Sequence, residues 1–392
     1  MIRNESYLLR KIEDRTFLLP TGQEINWGRG SVELSNIGEI IWEKLKENCS
    51  TDDVALAVYN AVTEDCAVEN EIVEVAKDSK LYRQIYCDVK TYIEDLAAKG
   101  VVNYGAIISD NSEYKYYKIA GIILKICDEK NFIGSFLDDF KVLGNNNGEE
   151  TVSVYIHETY QPVEYGNGNI IVDSSDVRIL EKEHAYEMSF KTLSDINSAL
   201  VYKEKKIIYL NVSNNSTAEN ILFAMRLGYT LYALEESKLL IHSASFLYKG
   251  KIWLVSAPSG TGKSTHASLW EKYEGVRLIN GDSNLLDVDS QTVQGVPWCG
   301  TSKICENEDY KLGGIFLLER GTKPEVCELS FPDKVLKVTR RILSPTWDKK
   351  MMLHVTDLVE KSCRDVVVAK LVCDMNKESY MVLKEYIDRL SE

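Results

Sequence analysis

Residues Lys251 to Tyr273, KIWLVSAPSGTGKSTHASLWEKY, constrain this chain more tightly than any other stretch. Ile252-Trp253-Leu254-Val255 is an apolar run suited to a strand buried on both faces. Pro258-Ser259-Gly260-Thr261-Gly262 supplies small, φ-flexible residues for a turn. A helix is expected from about Lys263-Ser264-Thr265, with Leu269 and Trp270 on its inner face. Strand, Gly-rich turn and helix are the setting of a phosphate-binding loop. Backbone N–H groups converge on an anion there, and the helix N-terminus adds its dipole. In that setting Lys263 reaches the outer phosphates and the Ser264 hydroxyl ligates Mg²⁺. The usual pattern is G-x-x-x-x-G-K-[ST]; its first Gly, which relieves sterics at the turn entry, is here Ala257.

The remaining composition sets outer bounds. A chain of 392 residues has room for two domains, or three. Its 44% hydrophobic and 27% charged residues are ordinary for a globular protein. Net charge is −14, and residues 1–105 hold 12 Lys and Arg against 19 Asp and Glu. That balance argues against nucleic acid or an anionic membrane as a main partner. MIRNESYLLRK has no signal-peptide core, and no apolar run reaches the ~18 residues of a membrane span, so a cytoplasmic protein is expected. Nine cysteines contain no C-x-x-C pair. They are expected to be reduced and mostly buried, with Cys299 in PWCGT read as structural filler.

The first hundred residues read as a small sheet followed by three helices. Tyr7–Ile12 and Thr16–Leu19 flank a polar turn, a hairpin pattern, and Ser31–Leu34 suits a third short strand. A helix is expected from Asn36 with Glu39 as a capping-box partner, turning Ile37, Ile40, Ile41 and Leu45 inward. A second, capped by Ser50 or Thr51, presents Val54, Val58, Ala61 and Val62. A third repeats Tyr82, Ile85, Tyr86, Val89, Ile93 and Leu96 and stops at Lys99-Gly100. The module is winged-helix-like, but its acidic helices lack the basic surface of a DNA reader. The order hairpin, LSNIGEIIWEKL, CSTDDVALAVYNAV, DVKTYIEDLAAKGVV resembles the PqqD-like family. Those domains bind leader segments of ribosomally made, post-translationally modified peptides by adding a strand to a sheet edge. The resemblance implies a peptide groove at Val32, Leu34, Ile37 and Ile41, with a charged insert at Asp65–Lys80 that departs from the family.

The stretch Asn103–Lys115 loses helical periodicity and gathers Gly, Ser, Asn and Asp, which places a joint there. Domains are expected over 1–105 and 114–392. Strand patterns then follow at Lys118–Ile126, Val152–Ile156, Asn169–Val172, Tyr186–Phe190 and Lys206–Asn211. Asn145–Gly148 reads as a polar loop, and a helix is expected over Ala218–Glu236. His157 and His184 read as packing or surface histidines. Leu239–Phe246 is a strand in which His242 follows three apolar residues.

After the loop helix, Val276–Ile279 suits a buried strand ending at Asn280-Gly281-Asp282-Ser283. An acid at the end of a neighbouring strand holds Mg²⁺ in phosphate-loop sites, or accepts a proton from an attacking hydroxyl. Leu285–Val288 and Thr292–Val296 suggest a hairpin. Pro297–Lys303 makes a second small-residue loop. Lys311–Leu318 is a strand, Phe331–Leu343 and Pro345–Cys363 are helices, Asp365–Cys373 is a strand and Lys377–Leu390 a closing helix.

Residues 239–318, with LLIHSASF, WLVSAPSGTGKST, RLINGDSNLL and GVPWCGTS, resemble the catalytic domain of HPr kinase/phosphorylase. That family shares its nucleotide fold with phosphoenolpyruvate carboxykinase. The resemblance implies an α+β chain of two domains. The N-terminal one is a winged-helix-like peptide-recognition module, and the C-terminal one an α/β, P-loop-containing kinase domain that binds ATP and Mg²⁺. It implies Lys263, Asp282 and His242 as the catalytic set, His242 forming the site wall, and Ser264 and Asp282 as metal ligands. HPr kinases carry paired Asp at the second motif; here one of them is Gly281. Arg340 and Arg341 are candidates for the family's downstream arginine. Joined, the two resemblances imply a kinase acting on serine of a leader-bearing precursor peptide. A nucleotide-binding peptide carrier without kinase chemistry, and a protein kinase acting on a carrier protein, stand as alternatives. HPr kinases are hexameric, so homo-oligomerisation is also raised.

Overall fold

The computed structural model describes the chain except residues 5–6, 22–29, 47–48, 64–78, 104–112, 144–150, 159–167, 183–184, 204–205, 259, 375 and 391–392. Ser259, His184, the loop 145–148 and most of the insert 65–80 therefore lie outside the described residues. The fold is of the mixed α+β kind. Its chain groups into two compact units: one of Met1–Glu113, His157–Ser198 and Asn211–Asn214, the other of Tyr114–Ile156, Ala199–Leu210 and Asn215–Glu392.

In the first unit β1 (Ile2–Arg3) pairs β5 (Val102–Asn103). β2 (Tyr7–Ile12), β3 (Arg15–Pro20) and β4 (Val32–Leu34) form an antiparallel sheet in that order. Three helices follow: α1 (Asn36–Lys44), α2 (Thr51–Thr63) and α3 (Lys80–Ala98). Ser35, not Asn36, caps α1, its hydroxyl accepting from the Gly38 N–H at 3.2 Å. With the cap at Ser35 the N3 place falls on Gly38, so Glu39 is one residue too late for a capping box, and its carboxylate instead accepts from the Thr16 hydroxyl at 2.5 Å. The core joins Leu18, Leu34, Ile41, Trp42, Val54, Val58, Ile85, Val89, Ile93 and Leu96. Ala61 and Val62, expected inward, are exposed, because only the first two turns of α2 carry buried positions.

The chain then runs through β6 (Tyr114–Ile119), β7 (Ile122–Cys127), β8 (Lys141–Val142) and β9 (Thr151–Glu158). β6 and β7 form a hairpin where one strand was expected. Ala120 and Gly121 take positive φ of 46° and 82° and reverse the apolar run. β10 (Asn169–Asp173), β11 (Val177–Glu181) and β12 (Ala185–Phe190) form an antiparallel ribbon in the first unit. β13 (Ile196–Tyr202) and β14 (Ile207–Val212) lead to α4 (Ala218–Glu235), capped by Thr217. β11 and β13 carry no alternation strong enough to have been expected.

The rest of the second unit is built on β15 (Lys238–Tyr248), β16 (Lys251–Ser256), β17 (Leu278–Asn280), β18 (Ser283–Asp287), β19 (Thr292–Gln294), β20 (Tyr310–Arg320), β21 (Glu325–Glu328) and β22 (Val367–Cys373). β16 pairs β15 antiparallel and β20 parallel, so the path β16-β15-β18-β19-β20 returns to its start. β22 then pairs β20 in parallel. Alternate residues of β16 feed two cores. Ile252 and Leu254 pack with Val335 and Val338 of α6 (Phe331–Thr339) and Val355 and Val359 of α7 (Lys349–Asp365). Trp253 and Val255 pack with Trp270 of α5 (Lys263–Glu274) and Leu383 of α8 (Lys377–Leu390). The both-faced burial expected of this strand follows from helices on either side.

α6 ends at Thr339, earlier than the expected Leu343, because the chain after it is taken up by β15. The Leu343 N–H donates to Leu240 O at 2.7 Å, and the His242 N–H to Arg341 O at 2.8 Å. α7 starts at Lys349, its cap being Asp348, whose carboxylate accepts from the Met351 N–H at 2.7 Å.

Candidate functional site

The Gly-rich turn sits where β16 hands over to α5. Ala257 is buried in the Trp253–Trp270 core and takes no positive φ, so the turn entry does not need glycine there. Gly260 and Gly262 do need it: their φ values are 72° and 111°. Gly262 stands at the N-cap of α5 with no side chain to satisfy the first N–H groups. Those donors remain for an external acceptor. The space beside Gly260 is open, and the Arg320 guanidinium donates to its carbonyl at 2.9 Å. Clefts of about 270 Å³ and 570 Å³ have Thr261 and Arg320 in common. The smaller is also walled by Pro258, Lys337, Arg341 and Lys370, the larger by Gly262, Thr265 and Asp374. Pro258 and Thr265 are exposed.

Lys263, the first residue of α5, is 7% exposed and feels the charges of Asp282 and Arg341. Burial pulls its ammonium below the usual lysine range, with Asp282 opposing and Arg341 adding to the effect. Burial likewise lowers Arg341, with Arg340 contributing. Of the two candidate arginines, Arg341 is the one at the turn; Arg340 is exposed. The Ser264 hydroxyl donates to Gly281 O at 3.3 Å, which brings the helix start to the β17–β18 connection.

Asp282 is held on that connection. Its N–H donates to Asn280 Oδ1 at 2.9 Å and its carbonyl accepts from the Ser243 N–H at 3.0 Å. Its carboxylate lies 3.4 Å from His242 Nε2 and accepts from the Ser283 hydroxyl at 3.1 Å. The His242 hydrogen bond is the chief cause that holds this carboxyl below the usual aspartate range, ahead of the opposing effect of burial; Arg226 adds a smaller pull. His242 is thus joined to the acid, not merely to the wall. His242, the Lys263–Ser264 pair and Asp282, from three separate stretches of sequence, are brought together.

Gly281 has a steric cause. A Cβ there would stand 2.0 Å from Ser302 Oγ and 2.5 Å from Ser302 Cβ. The Pro297–Lys303 loop fills the space a second acid would need, and the Ser302 hydroxyl is itself anchored on Cys299 O at 2.7 Å. The same loop presents Gly300 to Asp282, 2.9 Å from where a Cβ would be. Cys299 is buried, and its neighbour Cys305 holds its thiol below the usual cysteine range. All described cysteines are free, with Cys87 exposed and Cys305 and Cys327 half-buried.

Sequence reasoning missed Arg226 on α4. Its guanidinium stacks on Phe223 at 4.4 Å, is lowered by burial, and feels the Asp282 charge. Lys263, Arg226 and Arg341 make no side-chain hydrogen bond or ion pair among the described residues. Lys263 is buried and the two arginines half-buried, and partly desolvated cations without partners ordinarily serve an anionic ligand. Among the described residues no three His, Cys, Asp or Glu side chains gather to hold a metal. A divalent ion here would take Ser264 and Asp282 together with ligand phosphates and water, which is the habit of Mg²⁺.

Of the expected groove residues in the first unit, Leu34 (5% exposed) and Ile41 (1%) lie in the core. Val32 is half-buried and Ile37 is 44% exposed. β4 is paired on one side only, by β3, among the described residues. No described helix is long and apolar enough to cross a membrane. Neither a family model nor a curated protein matches the chain.

Proposed function

We propose that this chain is an ATP-dependent kinase that phosphorylates a serine hydroxyl of a ribosomally made precursor peptide recruited through its leader. The observation that carries the reading is the set of unpartnered cations, Lys263 and Arg341 above all, around a Gly-rich turn that faces an ionised Asp282. ATP·Mg²⁺ supplies the phosphoryl group and the charge neutralisation that its transfer needs. The free N–H groups at Gly262–Ser264 and the Lys263 ammonium hold the donor's outer phosphates. Ser264 and Asp282 are the residues that would hold the ion. The Asp282 carboxylate orients the acceptor hydroxyl and takes its proton. The serine oxygen forms its bond to phosphorus as the bridging oxygen leaves with the electron pair on the ADP side. His242 keeps Asp282 ionised and aimed.

Recruitment is assigned to the first unit. The open edge of β4, with Ile37 exposed near it in sequence, suits an added peptide strand. A tethered leader raises the local concentration of the acceptor segment, so the catalytic site need not read much sequence itself.

The test is mass spectrometry of a leader-bearing precursor peptide incubated with ATP·Mg²⁺ and either the wild type or Asp282→Ala. A phosphoryl adduct on serine with the wild type alone is the expected result. Tight leader binding with no adduct from either protein would sink the kinase in favour of a carrier. Undiminished transfer to a leaderless carrier protein would point instead to a protein kinase.

A further inference from the structure

Besides Lys263 and Arg341 at the turn, a third cation, Arg226, lies in the field of Asp282 and comes from α4. Arg226 projects from α4. That helix is fixed to the Pro297–Ser302 loop by Trp298, whose indole N–H donates to Leu222 O at 2.9 Å and whose ring packs on Tyr229 at 4.8 Å. The loop in turn seats Gly300 against Asp282. α4 thereby adjoins the loop that seats Asp282, and Arg226 lies in the field of that acid. Its guanidinium is backed by Phe223, makes no ion pair among the described residues, and so has its planar fork free.

A structural arginine would be expected to bind a carboxylate or carbonyl, as Arg15 binds Glu33 and Arg320 binds Gly260 O in this chain. Arg226 does neither. Its position suits a group that arrives only during turnover. We propose that Arg226 is a catalytic residue that binds the phosphoryl group in transit, at the acceptor end of its path. Lys263 holds the donor end; Arg226 receives the equatorial oxygens as the bond to the serine oxygen forms and the bond to the ADP oxygen breaks. The proton goes to Asp282, and no further reactant is needed. A planar guanidinium matches three spread oxygens better than an ammonium does. Because the developing charge is met by a pre-placed, desolvated cation, the benefit falls on the transition state and not on either bound substrate.

The inference rests on the kinase reading above, and the test separates the two. Wild type, Arg226→Ala, Arg226→Lys and Arg226→Met are compared for ATP binding, for steady-state transfer to a leader-bearing serine peptide, and for trapping of ADP·Mg²⁺ with aluminium fluoride, a mimic of the group in flight. Arg226→Met keeps a long side chain over Phe223 and controls for packing. The expected result is a loss of kcat of about 100-fold or more in all three variants. KM for ATP and peptide stays within a few-fold, the aluminium fluoride trap is lost, and guanidinium ion partly restores Arg226→Ala. A raised peptide KM at unchanged kcat would overturn the proposal and make Arg226 an acceptor anchor. Wild-type rates in Arg226→Met, or a trap that survives in it, would overturn it as well. Variants that lose ATP binding along with turnover would reduce Arg226 to a structural role. A wild type that binds ATP yet transfers nothing overturns the kinase reading, and Arg226 with it.

Discussion

Asp282 and Lys263 have opposite relations to their surroundings. The acid is held ionised by His242, whereas the lysine is disfavoured by its own burial. Replacing His242 with Ala removes the largest cause that depresses Asp282. The acid must be ionised to accept a proton, and its pKa rises in the variant. The acidic limb of the rate–pH profile should therefore move to higher pH, with little change on the alkaline side; an unmoved limb would show that Asp282 is not the titrating base. Lys263→Met should weaken ATP binding by about 100-fold. Thermal stability should hold or rise, because an unpaired buried charge is removed. Calorimetry and thermal melts on one preparation check both halves. Lys263 and Ser264 could be named from the loop pattern, which fixes residue types at set spacings, and Asp282 from its place at the end of the neighbouring strand. Arg226 was not: it sits among Leu222, Met225 and Tyr229, and only the packing of α4 against a loop some seventy residues later brings it into the field of Asp282.

At the scale of elements, α5 contains a buried histidine behind the Gly-rich turn. His266 is fully buried, and the Ser379 backbone approaches without satisfying either ring nitrogen. Burial pushes it down to about 4. The unfolded chain takes up a proton near the usual histidine value while the fold does not. Stability is thus complete above about pH 6.5 and falls as pH drops toward 4, by up to about 3 kcal/mol from this residue. His266→Leu should flatten that decline; denaturant titrations at pH 7.5 and 5 would reveal it, and an equal slope in both proteins would refute it. Element boundaries were less legible than element types. The run Lys118–Ile126 reads as one strand because Ala120 is apolar, yet Ala120 and Gly121 form the reversal. The end of α6 was hidden because the residues beyond it bond to β15, a partner some hundred residues earlier.

For the whole molecule, one hydrophobic cluster of the first unit is drawn from residues 1–102, while Ile179, Met188 and Ile196 are buried in the 157–198 stretch that groups with the same unit. A fragment of residues 1–113 should fold by itself and bind a leader peptide, as circular dichroism and calorimetry would show; an unfolded fragment would tie the module to residues 157–198. Within the full chain, Ile37→Glu should raise KM for a leader-bearing peptide about tenfold, the scale of one lost apolar contact, while ATP binding is unchanged. Ile41→Ala is a different case. It opens a cavity in the core and should cost about 2–5 kcal/mol of stability. The amphipathic repeat made Ile37 and Ile41 look equivalent; packing separates them, since one faces solvent and the other Trp42 and its neighbours.

The contact between position 281 and Ser302 bears on how such sites are inherited and rebuilt. Gly281→Asp alone collides with Ser302 and should destabilise the protein by about 1–3 kcal/mol. Ser302→Gly made beforehand clears the space. The two changes are therefore epistatic: a lineage, or an engineer, moving between one carboxylate and two must alter the distant loop first.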